Sequence, residues 1–329
     1  PTRRSSDLID DASTDNSLAI AESYLEKFGG RLKLFSLSEH TGTPGLPRNV
    51  GIQFARGKYI AFLDSDNLYT KTALEELTTL AEKYQADCIN SPASFRVEDK
   101  SSNIDELLNP TEIWHCQWRK ASRLEHVIFV SDEVAERAKL WIDDGFNWAT
   151  CGLFCRRDFL IVNRIEFPDM IFSEDQIVQI SCLFLAKRLL RVPNITYIVR
   201  RNTESISRRN ISLEKYFHKW ISSLNKGFNE FNNIMNRVPF FAEHPDYRYA
   251  ILNCFFERTL RDAWKLNVAY AQVSAPVLNL IVEKEFHPDD AALSAYLFNT
   301  VNIHRLQLMQ LQQENIALKN ELKKYQTVQ

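Results

Sequence analysis

No apolar run in this sequence is long enough to cross a bilayer: FLDSDN interrupts the first candidate and charges interrupt the others, so the visible chain reads as soluble. Nor is there an excess of charge of one sign. Forty Lys and Arg stand against 42 Asp and Glu, a formal charge of −2, with a pI near 6.5. That balance gives no global electrostatic reason to bind nucleic acid or an anionic membrane, so an anionic ligand has to be held by a local site. The six cysteines (Cys88, Cys116, Cys151, Cys155, Cys182 and Cys254) lack paired metal-type spacing and lie in apolar surroundings, as reduced core thiols do. Only Cys151 and Cys155 are close enough in sequence to suggest a metal or disulfide pair. What the chain does have is 329 residues, 45% of them hydrophobic and 25% charged, and a mean hydropathy of −0.29. This suffices for one sizeable core and an appendage.

An α/β core normally begins with a buried strand, whereas this chain begins with the polar, basic octapeptide PTRRSSDL. The octapeptide matches the translation of a common sequencing adapter, so residues 1–8 are expected to be a non-native segment.

From Asp15 to Phe28 the pattern DNSLAIAESYLEKF predicts an amphipathic helix, and RLKLFSL then alternates like a strand. GLPRNVGIQFAR predicts a second helix, and Lys58 to Leu63 a strand buried on both faces. Thr70 to Tyr84 predicts a third helix and Ala86 to Ser91 a strand. Such alternation implies a largely parallel sheet covered on both sides by helices. A less regular stretch from about Phe95 to Asn147 contains a predicted helix headed by Ser131. Thr150 to Phe154 and Leu190 to Val199 read as strands on either side of a helix capped by Ser173, and beyond about Leu213 everything reads as helix. In the last stretch Leu308, Leu311, Asn315, Leu318, Leu322 and Tyr325 recur at alternating steps of four and three, a short coiled-coil seam suited to self-association. The same seam could instead pack onto its own domain.

KYIAFLDSDN ends a buried strand with Asp64, Ser65 and Asp66, and in extended chain both carboxylates would share a face. Ligands of parallel sheets bind at the carboxyl ends of strands, where two such oxygens can hold a hard cation against a diphosphate. Upstream, DDASTDNS places Asp10 and Asp11 at another strand end, and PRNVGIQFARGKY places Arg48 and Asn49 at a helix start, where Arg48 could meet phosphate oxygens or be a surface charge and Asn49 could hydrogen-bond nucleotide or sugar. About a hundred residues on, IFSEDQIVQI puts Glu174 and Asp175 in a first helical turn. Acidic residues there also simply suit the helix dipole. Trp148 could stack on an acceptor sugar or belong to the core, and Arg156 and Arg157 could meet a diphosphate or be solvated.

In this order, DDASTDNS, PRNVGIQFARGKYIAFLDSDN and SEDQ resemble the family 2 glycosyltransferases, whose nucleotide-sugar domain has the GT-A fold. The resemblance runs from about Ile9 to Ser207 and includes RRNTESIS after the last strand. The family's opening strand and helix, with a P-x-Y-N-like motif, is missing. This implies an N-terminal truncation of about 35 residues, one strand-helix unit. The expected domains are a glycosyltransferase domain at 9–211, a helical region at 212–302 and a coiled-coil helix at 303–329.

The resemblance implies an inverting, metal-dependent enzyme that moves a sugar from a nucleotide-diphosphate sugar to a hydroxyl of a glycan or lipid-linked acceptor in cell-surface polysaccharide or glycoconjugate synthesis. By it, Asp10 and Asp11 contact the nucleotide base and Arg48 the phosphates, with Asn49 and Ser65 in the same donor site. Asp66 binds Mn2+ or Mg2+, and Asp64 the metal, ribose or sugar. Asp175 is the catalytic base, and Glu174 orients the acceptor. The expected location is the cytoplasm, with peripheral association at the inner membrane face open; no nucleic-acid partner is expected, and a homo-oligomer could form through the tail. A catalytically inactive scaffold with a coiled-coil tail is the alternative. A nucleotidyltransferase is a weaker one, since its glycine-rich signature is not seen.

Overall fold

The computed structural model describes residues 5–98, 113–115, 124–143, 146, 149–201, 213–263, 307–308 and 310–322. The chain divides into two compact units, residues 1–210 with 226–259, and residues 211–225 with 260–329.

The first unit is α/β. β1 (Ser6–Asp10) and β2 (Leu32–Ser36) pair in parallel, with Asp10 opposite Ser36. The first three residues of β1 therefore come from the opening octapeptide. Between these strands, the expected Asp15–Phe28 helix is α-helical only over α1 (Ser17–Glu22) and goes on as turns. α1 has no buried residue, so little burial supports a longer helix. α2 (Gly45–Phe54) packs on β1. β3 (Tyr59–Ala61) leads into the DSDN segment; β4 (Leu68–Tyr69) and α3 (Ala73–Tyr84) follow.

The remaining strands are β5 (Cys88–Asn90), β6 (Ala93–Glu98), β7 (Ile113–His115), β8 (Ile128–Phe129), β9 (Leu153–Arg156), β10 (Leu189–Arg191) and β11 (Tyr197–Arg201). With β3 and β4 they form a five-stranded sheet, β3-β9-β5-β10-β8, and a four-stranded sheet, β4-β11-β6-β7.

Mixed sheets replace the largely parallel sheet expected from alternation. β5–β10 and β6–β11 are parallel, whereas β9 runs antiparallel between β3 and β5. The expected Leu190–Val199 strand is likewise two strands in different sheets, because the chain leaves β10 after Arg191 and pairs β11 with β6 and β4. Nor is β3 buried on both faces: of its three residues only Ile60 is buried.

α4 (Val134–Ile142), α5 (Arg157–Val162) and α6 (Glu174–Leu185) cover the five-stranded region. Leu77, Ala81, Ala86, Ile89, Phe154, Leu190 and Val192 form one core cluster between α3 and the sheet. α6 is buried almost all round, as an apolar run on every face requires. Arg137, 3% exposed, caps its C-terminus by donating from Nη1 to the carbonyls of Leu183 (2.7 Å) and Ala186 (2.6 Å).

Three further helices are α7 (Leu213–Asn236), α8 (Phe240–Glu243) and α9 (Pro245–Ala263). Within the first unit, the buried rings of Trp141, Phe146, Phe231 and Phe255 pack at tilted angles into an aromatic core, with the Arg258 guanidinium 4.7 Å from the centre of the Trp141 ring. In the second unit, residues 310–322 are helical, and Leu308, Leu311, Leu318 and Leu322 are exposed; Tyr325 lies outside the described residues. Among the described residues no helix is long and apolar enough to cross a membrane.

Candidate active site

Three of the sequence motifs meet at the carboxyl end of β3. Arg48 stands one turn into α2, and its guanidinium donates from Nη2 to Asp64 Oδ1 (2.8 Å) and from Nη1 to Glu174 Oε1 (2.9 Å). One fork thus ties PRN, DSD and SED together across 126 residues of sequence. The guanidinium also lies 5.2 Å from the centre of the Phe167 ring. The close approach behind it requires glycine: a Cβ on Gly45 would sit 2.9 Å from the Pro168 carbonyl oxygen.

The DSD carboxylates are not presented by extended chain. Asn67 N–H donates to Asp64 O (3.0 Å), closing a turn with Ser65 and Asp66 at its centre, so strand alternation does not set their directions. β11 clamps this turn. The Tyr197 hydroxyl accepts from Asp64 N–H (3.1 Å) and stands 3.4 Å from Asp64 Oδ2, to which it donates, and Asn67 Oδ1 accepts from Arg200 N–H (2.9 Å). Tyr197 and Arg200 went unread in the sequence. A Tyr in an apolar strand looks like core until its hydroxyl is placed, and Tyr197 is in fact 1% exposed. Burial, then the Asp64 charge, raise its pKa, so the hydroxyl stays a donor.

Ser173 is at the N-cap of α6, but in the left-handed region (φ 68°) and with no side-chain cap bond, contrary to the expected Ser cap. A non-glycine residue held there costs about 1–2 kcal/mol. This strain sits immediately before Glu174 and Asp175. Glu174 is 7% exposed. Burial raises its pKa, and the Arg48 charge offsets part of that rise. Asp175 is partly buried. Burial, then the neighbouring Glu174 charge, push its carboxyl well above the ordinary range, with Arg48 pulling the other way. Arg48 itself is held charged by Asp64 and Glu174 against its own desolvation. Two adjacent carboxyls biased toward accepting protons beside a fixed cation can do general-base chemistry.

Asp10 and Asp11 organise the neighbouring loops. Asp10 Oδ2 accepts from Ser36 Oγ (2.9 Å) and Ser13 N–H (3.2 Å), and hydrogen bonding by the Ser13 side chain, then by Ser36 and the Ser13 N–H, lowers its pKa against its own desolvation. Asp11 accepts from Thr41 N–H (3.0 Å) and Gly42 N–H (3.3 Å), with His40 Nδ1 2.9 Å from its Oδ2. Asn49 spends both ends of its amide on the Phe167 main chain, at 2.8 Å each, and so ties α2 to the segment before α6. Arg156 lies at the other end of the sheet: it is opposite Tyr59 at the start of β3, and it pairs with Asp87. Trp148 and residues 202–207 of RRNTESIS lie outside the described residues.

The sequence signature described as Glycosyl transferase family 2 matches residues 8–158. These residues carry the signature of a family 2 glycosyltransferase domain. The chain is 27% identical over 203 residues to the glycosyltransferase EpsJ of Bacillus subtilis (strain 168), an alignment covering 61% of this chain and 53% of EpsJ. The chain therefore spans about half the length of that relative. It is 25% identical over 271 residues to the poly(ribitol-phosphate) beta-N-acetylglucosaminyltransferase TarP of Staphylococcus aureus (strain N315), covering 81% of this chain and 72% of TarP. The crystal structure of S. aureus TarS 1-349 in complex with UDP-GlcNAc superposes with a TM-score of 0.56 at 19% identity, covering 87% of this chain and 74% of that one. At that identity the likeness is one of fold, and it agrees with the GT-A architecture expected from the motifs.

Proposed function

We propose that this domain transfers a sugar from a nucleotide-diphosphate sugar to a hydroxyl of a cell-surface polymer or glycoconjugate, with inversion at the anomeric carbon. The observation that carries the reading is the Arg48 fork, which brings Asp64 of the strand-end turn and Glu174 beside Asp175 to one place. The N-acetylglucosaminyltransferase activity of TarP, and the UDP-GlcNAc bound to TarS, make a UDP-sugar the first donor to try.

In this reading Asp175 takes the proton of the attacking acceptor hydroxyl, a step that needs the carboxylate within about 3 Å of that oxygen. Glu174, fixed by Arg48, orients the acceptor, and a single in-line displacement inverts the centre. Asp11 and the loop it holds border the base, and Ser65 borders the donor phosphates. Asp10 and Asn49 act by shaping this wall.

Asp64 and Asp66 offer hard oxygen donors on a partly exposed turn, a set that fits Mn2+ or Mg2+. Such a cation, when bound, would neutralise charge on the departing diphosphate. Arg48 supplies a fixed positive charge on the same side, 2.8 Å from Asp64 Oδ1. The tail seam is assigned to self-association and the domain to the cytoplasmic side, where nucleotide sugars are made available.

A thermal-shift screen against UDP-, GDP-, CMP- and dTDP-sugars, each with and without Mn2+, tests the donor assignment. A rise in melting temperature with one nucleotide class, larger with Mn2+, is expected, because a ligand that binds only the native state stabilises it. No shift with any donor would favour the scaffold alternative.

A further inference from the structure

A second chemistry-bearing cluster lies under this site and takes no part in it. Cys88 on β5, Cys155 on β9 and Cys182 on α6 are each 0–1% exposed free thiols, and their sulfur atoms all lie within 4.8 Å of one another. Among the described residues no other set of three or more His, Cys, Asp or Glu brings its ligand atoms so close. Cys88 and Cys155 face each other across the antiparallel β5–β9 pair. The neighbouring pair carries the bond from Arg156 N–H to Asp87 O (2.8 Å), so these two residues form a non-hydrogen-bonded pair, the arrangement that brings side chains closest. Their Sγ atoms are 2.8 Å apart, and Cys182 reaches in from the helix layer with its Sγ 3.9 Å from that of Cys155. Sequence spacing had pointed to Cys151 and Cys155 instead, because residues 88, 155 and 182 meet only when the sheet and α6 assemble.

We propose that Cys88, Cys155 and Cys182 form a buried three-sulfur site for a thiophilic divalent d10 cation, distinct from the oxygen-rich turn at Asp64 and Asp66. Three sulfurs each about 2.3 Å from one ion stand about 4 Å from each other. The Cys155–Cys182 spacing already suits this, and the Cys88–Cys155 pair must open by roughly 1 Å through side-chain rotation. Sulfur donors select soft ions and reject Mn2+ and Mg2+, which require oxygen.

Charge balance favours a divalent ion. M2+ displaces two thiol protons to leave two thiolates and one thiol around the metal, M2+ + 3 RSH → M(SR)2(HSR) + 2 H+, with no net charge left in the core. A loaded site would cross-link β5, β9 and the helix that carries Glu174 and Asp175 in its first turn.

The test is a Cd2+ titration of the full chain, reduced with a phosphine so that no competing thiol is present. A thiolate-to-metal charge-transfer band saturating at one equivalent is expected, with a rise in melting temperature of several degrees and no band with Mn2+. Cys155→Ala and Cys182→Ala should each abolish the one-equivalent band, while Cys254→Ala, whose Sγ donates to the Ile142 carbonyl elsewhere, should keep it. If the core variants fold poorly, cadmium NMR of the wild-type protein decides: a resonance in the sulfur-rich range is expected, and one in the oxygen range overturns the site. Absence of the band, its survival in both core variants, or a Cys88–Cys155 disulfide in the phosphine-treated chain would also overturn it.

Discussion

At Arg48 a single guanidinium, 17% exposed, holds two carboxylates from different motifs. Removing it leaves Glu174 desolvated without its cation, and breaking a buried pair from one side costs about 3–5 kcal/mol. Because the Asp64 side chain is 42% exposed and solvent screens that half of the fork, the loss for Arg48→Ala should fall at or just below the lower end of that range, about 2–3 kcal/mol by urea unfolding. Arg48→Lys can satisfy one carboxylate but not both, so it should unfold at an intermediate urea concentration and lose about tenfold or more in kcat/KM. Wild-type kinetics in the Lys variant would show that the fork is unimportant.

Asp175 permits a prediction in which stability and activity move oppositely. Its folded-state pKa lies above the unfolded one, so the stability its proton contributes is fully present below the unfolded pKa and is lost as pH rises through the folded one. Asp175→Asn cannot ionise and escapes that loss. It should melt near wild type in mild acid and a few degrees above it at alkaline pH, while turnover falls by about 10²–10⁴. A pH series of melting curves beside a nucleoside-diphosphate release assay checks both halves.

Among the elements, α7 shows how packing reverses a propensity. In a helix interior Ala is worth about 1 kcal/mol over Gly. At Gly227, however, a Cβ would lie 2.2 Å from Cζ of Phe255, whose ring is fully buried. Overpacking costs about 1–3 kcal/mol, so Gly227→Ala should destabilise. Adding Phe255→Leu should recover part of the loss, and denaturant midpoints of the three variants measure it.

α6 shows the same lesson at its ends. Acidic residues after a serine suggested a dipole-suited cap, but Ser173 is left-handed and makes no side-chain bond, and the opposite end is held by the buried Arg137 from α4. Periodicity located the helix to within a residue; its anchoring came from a side chain 46 and 49 residues away from the carbonyls it holds.

For the whole molecule, the exposed leucines of residues 308–322 are the feature most readily tested. If they form a self-association seam, Leu311→Gln with Leu318→Gln should lower the sedimentation mass toward a monomer and leave donor-induced stabilisation unchanged. An unchanged mass would assign those residues to some other contact.

Local pattern by itself determined the α/β class, the places of α2, α3 and α6, and that Arg48, Asp64 and Glu174 stand in motifs the fold then brings together, because hydrophobic period and motif order are properties of neighbouring residues. Tertiary structure alone decided the antiparallel return of β9, the split between β10 and β11, and the DSD turn clamped by Tyr197 and Arg200. It also decided that Asn49 is a backbone tie and that three distant thiols meet. These depend on which strands pair and which side chains then run out of solvent, and such pairings are made between residues dozens of positions apart, where no local period carries information.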